Sequence, residues 1–187
     1  TTASRRIADM QKLPSDELGR PDLASHKDIP KLPVVVVLDN VRSALNVGSF
    51  FRTCDAFGIS ALYLCGITAI PPHKEIQKTA IGATESVDWR YFERTTAAIQ
   101  QLNHEGYRVI GIEHTDQSTS LSSLDLSLGE CYALVFGNEV DGISDEVIQQ
   151  LNEAVEIEQF GTKHSLNVAV CGGIVIHEVS CALRKLR

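Results

Sequence analysis

The chain has no basic surplus. Its 187 residues carry 17 lysines and arginines against 24 aspartates and glutamates, a formal charge of −7 with a pI near 5.3. Nucleic-acid binders ordinarily show an excess of positive charge, so composition argues mildly against RNA or DNA and leaves that function to be argued from local sites. C-x-x-C pairs are also absent, the five cysteines (54, 65, 131, 171 and 181) being odd in number and scattered. They read as buried thiols of a cytosolic protein, neither bridges nor zinc ligands, and no His/Cys/carboxylate cluster has metal-ligand spacing. Long apolar runs are missing. Val34–Leu38 falls far short of the ~20 residues a transmembrane helix needs, and no secretory leader pattern occurs. What remains is an ordinary globular composition, 43% hydrophobic and 22% charged with mean hydropathy −0.02, enough for one domain with a core.

Residues 1–33 differ from the rest. They hold four of the six prolines, six basic groups against five acidic ones, and no aromatic residue. Ser4 is placed to cap a short helix that Pro14 would end, and the remainder reads as an arm. From residue 34 to 187 the chain is acidic, with eleven basic and nineteen acidic groups.

Over that second part, strand and helix signals alternate. Strands are expected at Val34–Leu38, Ile59–Cys65, Val87–Phe92, Tyr107–Ile112, Tyr132–Phe136 and Ala154–Ile157. Helices are expected at Ser43–Phe57 (stopped by Gly58), Glu75–Ala83, Thr95–Asn103, Asp145–Leu151 and Leu166–Leu186. Alternation of this length means an α/β layer structure, a mostly parallel sheet flanked by helices. In such sheets ligands sit beyond the carboxyl ends of the strands.

Three strand ends carry chemistry. After the first strand, Asn46, Ser49 and Arg52 fall on one helical stripe, ending in a guanidinium that suits an anion. The segment holds no G-x-G-x-x-G, and residues 39–45 contain no glycine, which argues against a dinucleotide enzyme. After Phe136 comes Gly137-Asn138-Glu139-Val140-Asp141-Gly142, a loop whose glycines signal a close backbone approach and whose carboxylates would repel a phosphate. A cationic or neutral ligand fits it better. After the last strand, Ser165 reads as the cap of a helix that carries Asn167 in its first turn and is apolar almost all round.

Taken together and in this order, N46-x5-R52, F136-G137-N138-E139-x-x-G142 and I157-x8-L166-N167-V168 resemble the three motifs of the SpoU (TrmH) family. The resemblance covers about residues 34–187. It implies S-adenosylmethionine-dependent methylation of a ribose 2′-hydroxyl in tRNA or rRNA, a SPOUT-type fold with a C-terminal deep trefoil knot, and a homodimer through the last helix. Carried over by residue, it implies Arg52, Asn46, Glu139, Ser165 and Asn167 as the catalytic set, with Gly137, Ile157, Leu166 and Glu113 around the cofactor. Family members commonly have Ile-Pro-Met where this chain has Ile157-Glu158-Gln159, while Lys163 and His164 are this chain's own, His164 reading as a rim residue. Arg52 has two readings, a proton sink or a two-pronged anchor for the phosphate beside the target ribose. The competing function is a non-catalytic RNA-binding or assembly protein that keeps the fold.

Overall fold

The computed structural model describes residues 29–163 and 165–186, together with residues 12, 14 and 19. The helix expected after Ser4, most of the arm, and His164 lie outside the described residues.

A single seven-stranded sheet forms the centre, every neighbouring pair parallel. In chain order the elements are β1 (Leu32–Asp39), α1 (Ala44–Phe57), β2 (Ile59–Cys65), α2 (Lys74–Ala80), β3 (Asp88–Phe92), α3 (Thr95–His104) and β4 (Tyr107–Ile112). There follow β5 (Thr119–Ser120), a 3₁₀ turn at Leu121–Ser123, β6 (Cys131–Phe136), α4 (Asp145–Ile148), β7 (Glu153–Glu156) and α5 (Val168–Lys185). The strand order is β3-β2-β1-β6-β4-β7-β5.

The valine run of β1 has a simple cause. Both sheet faces are covered, so residues pointing either way must be apolar. Val34, Val36 and Leu38 join the core beneath α1 and α5, while Val35 and Val37 join the smaller core beneath α3 and α4. β1 and β6 pair at the centre, and their carboxyl ends deliver Asp39 and Phe136 side by side.

Element boundaries match the sequence expectations closely in the first half, except that α2 ends at Ala80 and not Ala83 because Ile81 turns left-handed (φ +48°), and less well toward the end. Ile59–Cys65 and the Gly58 stop (φ +66°) are as expected. α4 ends at Ile148, not Leu151, because its last turn tightens against β4. The two-residue β5 has no hydrophobic pattern of its own and lies outside the expected strands. α5 starts at Val168: Asn167, not Ser165, is its cap, accepting the Ala169 and Val170 N–H groups at 2.9 and 3.3 Å. Nor is α5 apolar all round in effect. Val175, Ile176, Val179 and Leu183 are buried, whereas Val170 and Ile174 share an exposed side with His177 and Glu178. Among the described residues no helix is long and apolar enough to cross a membrane.

The helices on the α1 side approach one another through glycine. A Cβ on Gly48 would sit 2.1 Å from Thr79 Oγ1 and 2.3 Å from the Ile76 carbonyl oxygen, and one on Gly172 would sit 2.2 Å from the Phe50 ring. The first of these clashes involves backbone and cannot be relieved by a rotamer change. Gly48→Ala is therefore expected to lower unfolding free energy by about 1–3 kcal/mol in chemical denaturation, whereas the same change at half-buried Gly173, where a Cβ meets nothing, is expected to be neutral or stabilising.

Candidate active site

The carboxyl ends of β4, β6 and β7 open into one cleft of about 920 Å³. Its walls come from three loops: residues 112–114 after β4, 136–142 after β6, and 156–171 from the end of β7 into α5. Ile112, Phe136, Ile157 and Val168 supply apolar wall, and Glu113, Glu139, Asp141, Glu156 and Glu158 supply carboxylates.

The loop after β6 is built by Asn138. Its backbone exchanges hydrogen bonds with Gly142 (2.9 and 3.0 Å), its side-chain oxygen accepts the Val140 and Asp141 N–H groups, and its amide donates to the Asn40 carbonyl. The glycines here are required by the packing of the loop itself. A Cβ on Gly137 would lie 2.1 Å from the Gly142 carbonyl carbon, and Gly142 (φ +71°) would press its own against the Glu113 carboxylate. Glu113 in turn accepts the Ile143 N–H at 2.9 Å, so it holds this loop as well as lining the cleft.

Glu139 closes the assembly. Its two oxygens accept the Arg42 N–H (2.8 Å), the Ser43 N–H (3.0 Å) and the Asn46 side-chain amide (3.0 Å). These donors surround the start of α1, where backbone N–H groups lack partners and the helix dipole favours negative charge. Asn46 Oδ1 then accepts from the Asn167 amide at 3.3 Å. One polar chain thus runs from the β6 loop through α1 to the cap of α5. Burial by itself would raise the Glu139 pKa, but the hydrogen bonds from Arg42, Ser43 and Asn46 outweigh it and hold the carboxyl below the usual glutamate value.

Behind this chain lies a buried carboxylate that the sequence pattern does not flag. Asp39, 1% exposed, accepts from Thr95 Oγ1 (2.5 Å), Asn40 Nδ2 (2.8 Å), and the Ser144 N–H and hydroxyl (2.9 and 3.0 Å). It joins the end of β1 to the starts of α3 and α4. Ser144 caps α4 by position only, since its hydroxyl serves Asp39. Asn40 (φ +55°) accepts the Ile67 N–H and Thr68 Oγ1 accepts the Val41 N–H, which together fix the turn into α1. An Asp-Asn pair directly after a β-branched run is a turn signal that points to such a role.

Of the residues singled out in the sequence, the cleft gathers Glu113, Gly137, Glu139, Ile157, Ser165, Leu166 and Asn167. Asn46 reaches it through Asn167. Arg52 does not line it: it is exposed on α1, about 9 Å along the helix from Asn46, with no hydrogen bond or ion pair among the described residues.

Residues 33–177 match the SpoU rRNA Methylase family. The chain belongs to that family. It is 34% identical over 157 residues to a mouse tRNA (guanosine(18)-2′-O)-methyltransferase, covering 81% of this chain and 9% of that one. It is 30% identical to the tRNA (guanosine(18)-2′-O)-methyltransferase of Aquifex aeolicus, over 78% of this chain and 67% of the relative. An S-adenosylmethionine-bound rRNA methyltransferase from Sinorhizobium meliloti superposes with a TM-score of 0.76 at 28% identity, over 84% of this chain and 60% of that one. The chain therefore spans only part of the proteins it resembles. Seen beside SpoU relatives, the parallel sheet flanked by helices is the family's fold.

The Glu139 contacts carry a pH signature. A carboxyl whose pKa is lowered on folding contributes stability above its ordinary value of 4.5 and loses it as pH falls through the lowered one. Glu139→Gln is expected to unfold more easily at neutral pH by about 1–2 kcal/mol. In denaturation series the gap to the wild type should shrink only below the usual carboxylate range; a gap constant down to acid pH would show that the charge contributes nothing.

Proposed function

We propose that this chain transfers a methyl group from S-adenosylmethionine to a ribose 2′-hydroxyl of tRNA or rRNA. The observation that supports this best is the cleft itself, which brings the second and third motif segments together at the carboxyl ends of parallel strands, tied to the first through Asn46, and is lined by apolar side chains and carboxylates. The residues suit the cofactor. A cleft of about 920 Å³ is of the size that holds ligands of this class, and an acidic lining complements a sulfonium cation. Gly137, Ile157 and Leu166 would hold the adenosine, largely through backbone, with Glu113 at the edge. When bound, the cofactor supplies an electrophilic methyl group on a positively charged sulfur.

The chain's own part is alignment. Ser165, exposed in the cleft, orients the ribose hydroxyl. Asn167 has both ends of its amide engaged, at the α5 cap and at Asn46, and Glu139 is engaged at the start of α1. These two act by positioning. Arg52, with no partner among the described residues, anchors the phosphate beside the target ribose through its forked donors. A guanidinium does not give up its proton at neutral pH, so the hydroxyl proton leaves to water. The reading extends to a homodimer through the exposed side of α5, and to a knot. The knot reading is supported by β7 lying between β4 and β5, strands consecutive in the chain.

Methyl transfer is tested with isotope-labelled S-adenosylmethionine and tRNA or rRNA transcripts. Nucleoside mass spectrometry should find the label on ribose; label on a base, or none, counts against the reading. Arg52→Ala should abolish transfer yet leave cofactor affinity within about twofold by calorimetry, and Arg52→Lys should rescue little because a point ammonium cannot form the fork. Loss of cofactor affinity in Arg52→Ala would instead move the arginine into the cofactor pocket.

A further inference from the structure

Phe160 is 94% exposed and Val140 71% exposed, and both border the cleft. They come from different loops, one after β7 and one after β6. An aromatic ring left almost wholly in water at the rim of a site has apolar surface to cover. We propose that Phe160, aided by Val140, is the stacking platform for an unpaired nucleobase of the RNA, placing that nucleotide at the cleft mouth. This rests on the methyltransferase reading and adds to it where the base goes.

The charge around the ring selects a base over a phosphate. Asp141 and Glu158 border the same cleft and have no cation partner among the described residues. Lys163 is the only lysine or arginine among the described residues that line it. A phosphodiester brought here meets repulsion, whereas the flat face of a base carries no net charge and stacks on any aromatic ring. Carboxylates beside the ring also accept hydrogen bonds from ring and exocyclic N–H groups. Phosphates have another place to go. Arg42, Arg52, Lys74 and Lys78 are exposed on or beside α1 and α2, outside the cleft, and residues 40–85 hold only Asp55, Glu75 and Glu85 against them. Backbone and base are thereby sorted onto two surfaces, one basic and one aromatic within an acidic rim. The cofactor's own adenine is the lesser candidate for the ring, because Ile112, Phe136, Ile157 and Val168 offer it apolar wall within the cleft, while Phe160 stands almost fully in solvent.

The test uses the full chain and a short fluorescein-labelled, mixed-sequence single-stranded RNA. Phe160→Ala touches no packed residue and leaves folding intact. It is expected to weaken RNA binding by roughly tenfold, with Phe160→Trp close to wild type and S-adenosylmethionine affinity unchanged by calorimetry. The loss should be the same at about 50 and 200 mM salt, because stacking releases no counterions; the loss from Lys74→Ala with Lys78→Ala should shrink as salt rises. RNA affinity unchanged in Phe160→Ala overturns the inference while leaving methyl transfer by the wild type intact. Cofactor affinity falling in step assigns the ring to the adenine and overturns it too. Dissociation of a wild-type dimer on sedimentation of Phe160→Ala assigns the ring to a subunit contact and likewise overturns it. A wild type that transfers no methyl group removes both readings together.

Discussion

A single carboxylate at the start of a helix organises the cleft. Glu139 lies in a loop about ninety residues away from α1 in the chain, and only the pairing of β1 with β6 brings the two within reach. Once there, it meets amide donors that the helix cannot satisfy itself, in the part of the dipole that favours a negative charge. Its third donor, Asn46, extends the contact to Asn167 and so to the last helix. Removing the carboxylate would leave Arg42 and Ser43 without their acceptor and cut the polar link between the β6 loop and α1. The glycine contacts at 137 and 142 serve the same end, letting the loop fold tightly enough to aim Glu139 at α1.

That arrangement explains how an acidic chain belongs to a family of RNA-modifying proteins. Net charge describes the whole surface; recognition depends on where the charges fall. Here Glu113, Glu139, Asp141, Glu156 and Glu158 line the cleft, an acidic wall suited to a cationic ligand. The cations of the α1–α2 region lie elsewhere. The acidity that argues against nucleic acid at the level of composition is, under the proposed function, a filter that would keep the RNA backbone off the cofactor pocket.

The sheet is legible in the sequence because both of its faces are buried. Val34–Leu38 and Tyr132–Phe136 have the unbroken apolar character of central parallel strands, and Gly58 stops α1 where its pattern ends. The short elements are less legible. β5 is two residues long, and the α5 cap falls at Asn167 instead of the expected Ser165 because the two are equally good capping types and only the backbone at Asn167 decides between them. The site segments can be read from residue type and order. Their surroundings cannot, since only the fold shows Glu139 hydrogen-bonded at the start of α1 and Asn167 engaged at the α5 cap. Asp39 escapes a sequence reading because a buried carboxylate looks the same as a solvated one until its four donors are placed around it. Phe160 escapes it because a lone aromatic beside glycine has no periodic signal at all.

The most direct test of Glu139 as organiser is amide hydrogen exchange, followed by NMR, at Arg42 and Ser43 in the wild type and in Glu139→Ala. Both amides should be protected in the wild type, and both should exchange near the rate of an open chain in the variant, with the strand amides of β1 unaffected. Equal exchange at these two amides with and without the carboxylate would contradict the account.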